Sequence, residues 1–180
     1  MNTTTAPPML QNHVEFQQLL DLYVERGPER VLEVGVGEGG TLYRWLLYAT
    51  AGARIVALDD RHLNRDAYSS WTPDSVELVT ITGSSHDPDV LLDVAGYRPF
   101  DFIFLDADHH DHAVRADWRH FSAMAAPHAA IALHDIAPSI DPTIHVDQLW
   151  RELAHEHDTC EFTVPGGPGI GVVLLDKAHR

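Results

Sequence analysis

The feature that most constrains this chain is a short aliphatic run that breaks off in glycines: Val31-Leu32-Glu33-Val34, then Gly35-Val36-Gly37-Glu38-Gly39-Gly40. The run reads as a β-strand. Residues 41–48 (TLYRWLLY) have helical periodicity and good helix formers, and Gly52 is placed to cap their end. Gly35, Gly37 and Gly40 satisfy the G-x-G-x-x-G spacing, in which missing side chains let backbone approach a ligand while helix N–H groups face it. The spacing alone is weak, because glycines also make a plain tight strand-to-helix turn. Asp59 strengthens it. It ends the next aliphatic run (residues 54–59) 22 residues beyond Gly37, where a carboxylate can accept both hydroxyls of a ribose; in the bland reading it only caps a helix.

The alternation of strand and helix continues along the chain. Residues 76–81 read as a third strand, 87–94 as a helix, 101–106 as a fourth strand, and 130–133 as a fifth strand running into His134-Asp135. Between the last two, residues 111–125 place Val114, Trp118, Phe121 and Met124 on one helical face. A helix at 12–26, with Val14, Leu19, Leu20 and Tyr23 at near-helical spacing, stops at Gly27-Pro28. A last helix near 145–155 precedes two runs, 161–164 and 171–175. The segment 165–169 between those runs is too short for a crossover, so they form an antiparallel pair at the sheet edge. The class is α/β, with parallel strands and helices on both faces. Residues 1–11 read as a flexible N-terminus, and 12–180 as a single domain.

Composition excludes several function classes. Twelve Lys and Arg against 27 Asp and Glu give a net charge of −15, which repels nucleic acid and anionic membrane surfaces. The start lacks a secretion signal and no run reaches the ~18 apolar residues of a membrane span. Cys160 is the single cysteine, so no intramolecular disulfide or C-x-x-C site exists, which favours a reducing, cytoplasmic setting.

Nicotinamide and S-adenosylmethionine (SAM) sites both use a glycine turn with a downstream acid. Glu33, two residues before the first glycine, would stand beside the cofactor and suits a cationic amino group and sulfonium better than a pyrophosphate. Length points the same way, since a dehydrogenase needs a nucleotide domain of ~150 residues plus a substrate-binding portion.

The stretch from Val31 to Gly40 resembles the first motif of class I SAM-dependent methyltransferases, and Asp59 matches their ribose-binding acid. Phe104-Leu105-Asp106-Ala107-Asp108-His109, Ala113-Val114-Arg115-Ala116-Asp117-Trp118 and Ile131-Ala132-Leu133-His134-Asp135-Ile136 are similar to the small methyltransferase-24-type, cephalosporin-hydroxylase-like branch. The resemblance covers about residues 30–176. It implies a Rossmann-like, seven-stranded, mostly parallel sheet whose final strand is antiparallel. It also implies cofactor contacts from Glu33, Gly35, Gly37, Gly39, Asp59, Asp60, Ser84, Ser85 and Asp106. For Ser85, a serine-rich loop is the competing reading. Departures from the family pattern are Pro127-His128-Ala129 for Pro-Gly-Gly, Ala107 for a glycine and Asp111 for a tyrosine, and they concern loop geometry rather than cofactor class.

Asp106, Asp108, His109, His134 and Asp135 gather at the ends of the fourth and fifth strands. In the similar catechol-type O-methyltransferases an acid ending the fourth strand and a pair ending the fifth hold a divalent ion. Asp106, His134 and Asp135 fall on those positions, as ligands for Mg, Mn, Fe or Zn. His134 replaces a usual carboxylate, which weakens the preference for Mg; the competing reading has these residues fixing a loop by hydrogen bonds. His109 is the candidate general base, with Asp106 beside it. His110 and His112 read as the solvent side of a helix start, Asp117 and Trp118 as helix face and core, Trp150 as core or oligomer contact, and the glycines at 166–171 as a mobile lip or a plain hairpin turn.

The function implied is SAM-dependent O-methylation of a small-molecule hydroxyl by a homo-oligomeric cytoplasmic enzyme. A non-catalytic subunit binding SAM or S-adenosylhomocysteine (SAH), and an NAD-dependent oxidoreductase, are the alternatives.

Overall fold

The computed structural model describes residues 6–175. β1 (Arg30–Val34) is buried at every position after the first, the pattern of a strand covered on both faces. It is flanked in parallel by β2 (Arg54–Asp59) and β4 (Phe100–Leu105). β3 (Glu77–Thr82) extends the sheet beyond β2, and β5 (Ala125–His134) pairs parallel with β4. β7 (Ile170–Leu174) inserts antiparallel between β5 and the edge strand β6 (Asp158–Phe162), giving the order β3-β2-β1-β4-β5-β7-β6. The expected α/β, mostly parallel, seven-stranded fold is therefore present, with the antiparallel pair where the short 165–169 connection places it.

Strand alternation divides the core into two layers. Val31, Phe102 and Phe104 point to one face, under α1 (His13–Arg26), α2 (Gly40–Leu47) and α3 (Arg65–Trp71), where Phe16, Tyr23 and Trp45 pack. Leu32, Val34 and Ile103 point to the other, under α4 (Pro88–Ala95), α5 (Asp111–Ser122) and α6 (Val146–Glu156). Trp150 belongs to this second core, its indole N–H donating to Glu161 at 2.6 Å.

α1 begins at Asn12, whose side chain accepts from the N–H groups of Val14 and Glu15, and ends at Gly27 in the left-handed conformation. α2 ends at Leu47, so Gly52 belongs to the turn feeding β2 and not to a helix cap. The stretch 127–129, where a turn was expected, runs inside the longer β5; the irregularity is a register shift opposite Phe100 and Phe102.

Two tethers hold the sheet's far end. Glu15, fully buried on α1, accepts from Val164 N–H at 2.9 Å and Gly169 N–H at 3.0 Å, and Ala137 N–H donates to the Pro168 carbonyl at 2.8 Å. The 165–169 segment is thus a pinned hairpin turn rather than a free lip. Residues 8–11, within the stretch read as a flexible terminus, lie against α2 and β4: the Pro8 carbonyl and Met9 occupy the space a side chain at Gly40 would need.

Candidate active site

β1 pairs with β2 on one side and β4 on the other, so the strand order reverses between β1 and β4, and ligands bind beyond the carboxyl ends of strands at such a point. A cavity of about 780 Å³ opens there, within the usual size range of small-molecule sites. The glycine turn forms its floor. A side chain at Gly35 would collide with the Asp106 carbonyl and Ala107, whereas one at Gly37 would meet nothing within 4 Å, so bare backbone at Gly37 is presented to the cavity. Gly39 is the residue before α2, in the left-handed conformation, and shapes the turn without lining the cavity.

Asp59 braces this turn. Its Oδ2 accepts from Val36 N–H at 2.7 Å and Gly37 N–H at 2.8 Å, and its Oδ1 accepts from Arg61 N–H at 2.8 Å. Partial burial favours the neutral acid, but the Arg61, Gly37 and Val36 N–H groups hold the carboxyl below its usual range. Three of roughly four acceptor positions are used, so capacity for a ligand hydroxyl remains. Asp60, exposed, and Ser84 and Ser85, on the β3–α4 turn, line the same wall.

Glu33 is placed differently from the expectation. It alternates with Val34 and so faces α2 instead of the cavity: it is fully buried and accepts the Thr41 hydroxyl. Burial pushes its carboxyl well above the usual range; Thr41 opposes this, while Asp106 and Asp59 add to it. Its Oε2 has no hydrogen-bond partner. The structure thus holds this carboxylate buried beneath the turn, outside the residues that line the cavity.

The other end of the cavity carries a tight side-chain cluster. Asp106 Oδ1 lies 3.0 Å from His134 Nδ1 and 3.2 Å from His109 Nε2, and Asp135 Oδ2 lies 3.2 Å from His109 Nε2 and 3.4 Å from His134 Nδ1. Asp106 Oδ2 accepts from Gln11, which is buried although its position suggested a loose terminus. Asp135 has φ of 61°, a left-handed conformation that non-glycine residues seldom adopt and that concentrates at functional sites. Burial alone would lower the His134 pKa, but the Asp106 and Asp135 carboxylates push it up to about 10. Burial likewise favours neutral Asp106, yet His134 and His109 hold that carboxyl low. His109 is raised, because Asp106 and Asp135 outweigh the effect of burial.

Asp108 stands outside this cluster. It bonds to the His110 ring at 2.6 Å, and both line the cavity, so His110 lies closer to the site than a helix-start histidine need be. A second group lies behind the β3–α4 turn: Asp117 on α5 is buried, with Oδ1 3.2 Å from His86 Nε2. Burial raises the Asp117 pKa, while the Ser85 hydroxyl and His86 oppose the rise.

The donor atoms of Asp106, His109 and His134 lie within 4.8 Å of one another. The 3.0–3.4 Å separations between carboxylate and imidazole atoms match adjacent ligands on one ion with bonds of about 2.1 Å. These three residues fit a divalent ion: Asp106 and His134 are expected ligands, His109 joins them, and Asp135 stands beside the set, within 3.4 Å of both imidazoles but outside the group whose donor atoms all meet.

Comparison with known proteins agrees with this geometry. Residues 32–136 match the family model of the methyltransferase-24 methyltransferase domain. No curated protein matches in sequence. Similar solved structures include an O-methyltransferase from Bacillus cereus in complex with SAH, at 23% identity and TM-score 0.71, covering 94% of this chain and 84% of that one. TomG from Streptomyces achromogenes, an O-methyltransferase of tomaymycin synthesis in complex with SAM, has 20% identity and TM-score 0.70, with 94% and 83% covered. MycE of the mycinamycin pathway, in complex with Mg, SAH and mycinamycin VI, has 20% identity and TM-score 0.62, with 92% of this chain matching 50% of that one. The family match spans more than half of the chain and contains the glycine turn, Asp59 and the Asp106–Asp135 cluster, so the chain belongs to the methyltransferase-24 family of methyltransferase domains.

Proposed function

We propose that this protein transfers a methyl group from SAM to the hydroxyl oxygen of a small molecule. The observation that carries the reading is the meeting, in one crevice, of a glycine turn braced by Asp59 and a buried carboxylate–imidazole cluster around Asp106. The bare backbone at Gly37 and the spare acceptor capacity of Asp59 suit a ribose, with Asp60, Ser84 and Ser85 along the nucleoside. SAM, when bound, supplies an electrophilic methyl on a good leaving group. The chain must then align the acceptor and raise its nucleophilicity; alignment accounts for up to ~7–11 kcal/mol of barrier.

His109 is the general base. Its Nε2 faces two carboxylates, which orients the ring and leaves Nδ1 as the nitrogen that takes the acceptor's proton. Asp106, His134 and Asp135 would hold a divalent ion, which when bound would lower the acceptor's pKa and fix its orientation. The imidazole ligand favours Mn, Fe or Zn over Mg. Gly35 lines the cavity floor beside Gly37, and Glu33 and Gly39 shape the turn from beneath.

No helix among the described residues is long and apolar enough to cross a membrane; we place the enzyme in the cytoplasm and as a homo-oligomer, in which a neighbouring subunit shields the cavity from water. Light scattering that returns a fully active monomer contradicts the oligomer.

Methyl-labelled SAM with a panel of hydroxyl acceptors tests the function. The expected result is label on the acceptor oxygen, abolished by chelation while SAH binding persists, and restored by one metal. Label transfer indifferent to chelators removes the ion and leaves His109. Tight NAD binding without SAH binding overturns the reading.

A further inference from the structure

Glu15 is a fully buried carboxylate that the chemistry above does not use. Its two oxygens accept from the backbone N–H groups of Val164 and Gly169, at the two ends of the 164–169 hairpin turn. The same turn grips the chain where it leaves β5. The Gly169 carbonyl accepts from Ile136 N–H at 3.4 Å, and the Pro168 carbonyl from Ala137 N–H at 2.8 Å. His134, the last residue of β5, pairs with Ile170 at the start of β7. Asp135 therefore stands between two fixed points, and there the backbone turns left-handed, at the one non-glycine position that does so among the described residues. Its carboxylate lies 3.2 Å from His109 Nε2 and 3.4 Å from His134 Nδ1.

The turn and the carboxylate are fitted to each other. A side chain at Gly169 would press on Ile136, and one at Gly167 would collide with the Glu15 carboxylate. A buried carboxylate is costly unless it accepts hydrogen bonds, and an apolar residue at position 15 would leave the Val164 and Gly169 N–H groups without an acceptor. A left-handed aspartate persists only where its surroundings over-determine it. Here those surroundings are the pairing with Ile170 on one side and the turn held by Glu15 on the other. Four residues before Glu15, Gln11 donates to Asp106, and Asn12 between them caps α1. The start of α1 thus reaches both carboxylates of the cluster, one directly and the other through the turn.

We propose that Glu15 is a positioning residue for Asp135: by holding the 164–169 turn it fixes the left-handed backbone at Asp135, and with it the carboxylate that faces His109 and His134. The inference rests on the divalent-ion reading above and extends it to a residue outside the cavity. Asp135 attracts a cation whether it binds the ion directly or stands beside the ligands, because its negative charge lies within 3.4 Å of both imidazoles. Glu15→Gln keeps the shape of the side chain but offers one acceptor oxygen to two N–H donors and sets its own N–H against the second. The turn then loosens and Asp135 leaves its place.

Calorimetric titration with Mn²⁺ alone, on the wild type, Glu15→Gln, Asp135→Ala and the double variant, tests this. Glu15→Gln is expected to weaken Mn²⁺ binding about threefold to tenfold, and Asp135→Ala at least as much. In the Asp135→Ala background Glu15→Gln should add nothing, because the carboxylate it positions is gone. SAH affinity should stay at the wild-type value throughout. A Glu15 that only stabilises the fold would lower Tm while leaving Mn²⁺ affinity alone, or would lower that affinity equally with and without Asp135; either result overturns the proposal. If Glu15→Gln does not fold, Gly169→Ala disturbs the same turn from the other side, pressing on Ile136 without touching α1. Unchanged Mn²⁺ affinity in that variant overturns the proposal equally. Wild type that binds no Mn²⁺ overturns the ion reading and this assignment together, whereas wild-type binding that Glu15→Gln leaves intact overturns this assignment alone.

Discussion

The two ends of the cavity are built by different means. At the end proposed for the nucleoside, one glycine turn and the acid that closes the next strand are joined through backbone N–H groups within residues 35–61, and the β3–α4 turn completes the wall. At the end proposed for the acceptor, Gln11, Asp106, His109, His134 and Asp135 converge from three parts of the chain, and Gln11 lies 95 residues from the carboxylate it touches. The first end is a local motif that survives as long as a strand-turn-helix forms. The second exists only once the whole sheet is assembled, which leaves it free to vary in ligand set and chemistry.

If that division is real, variants at the two ends should fail in different ways. The largest effect is expected from His109→Ala, which should cut kcat by about 10²–10⁴-fold at neutral pH, with partial recovery at high pH, while calorimetry shows unchanged SAH affinity. An equal loss of SAH affinity would merge the two ends. Asp59→Ala should do the reverse: SAH affinity should fall at least about tenfold through lost charge-assisted hydrogen bonds and a loosened turn. A kcat at saturating SAM that falls as far would count against the division.

Gln11→Ala should have a smaller effect, about threefold to tenfold on kcat, by freeing one oxygen of Asp106. Unchanged kinetics would show that the N-terminal strap only packs.

The smallest effect belongs to Glu33→Gln. Burial raises the Glu33 pKa in the folded state, so between its unfolded value and that raised value the folded protein binds more protons than the unfolded one, and stability falls as pH rises through and above the ordinary carboxylate range. The amide removes that slope, so Tm at pH 7–8 should rise slightly, with SAH affinity unchanged. A drop in affinity would return Glu33 to direct contact with the cofactor.

Legibility in the sequence follows the same division. The strand, the glycine turn and Asp59 are readable because their spacing is local, and the antiparallel pair is readable because five residues cannot cross a sheet. The burial of Glu33 beneath the turn follows from the twofold alternation of the strand, visible in Val31 and Val34, which puts position 33 on the face under α2; motif spacing alone does not show it. Gln11 and Glu15 carry no local signal, since their partners lie 95 and about 150 residues away. Asp117 could have been suspected as a charge on the buried face of α5, among Ala113, Val114 and Phe121.

Calorimetric titration of the wild-type chain with SAH and, separately, with NAD tests most directly whether this crevice is a SAM site. Saturable SAH binding is expected, about one per chain, weakened at least about tenfold in Asp59→Ala, with no heat from NAD. Tight NAD binding, or SAH affinity that Asp59→Ala leaves unchanged, would contradict it.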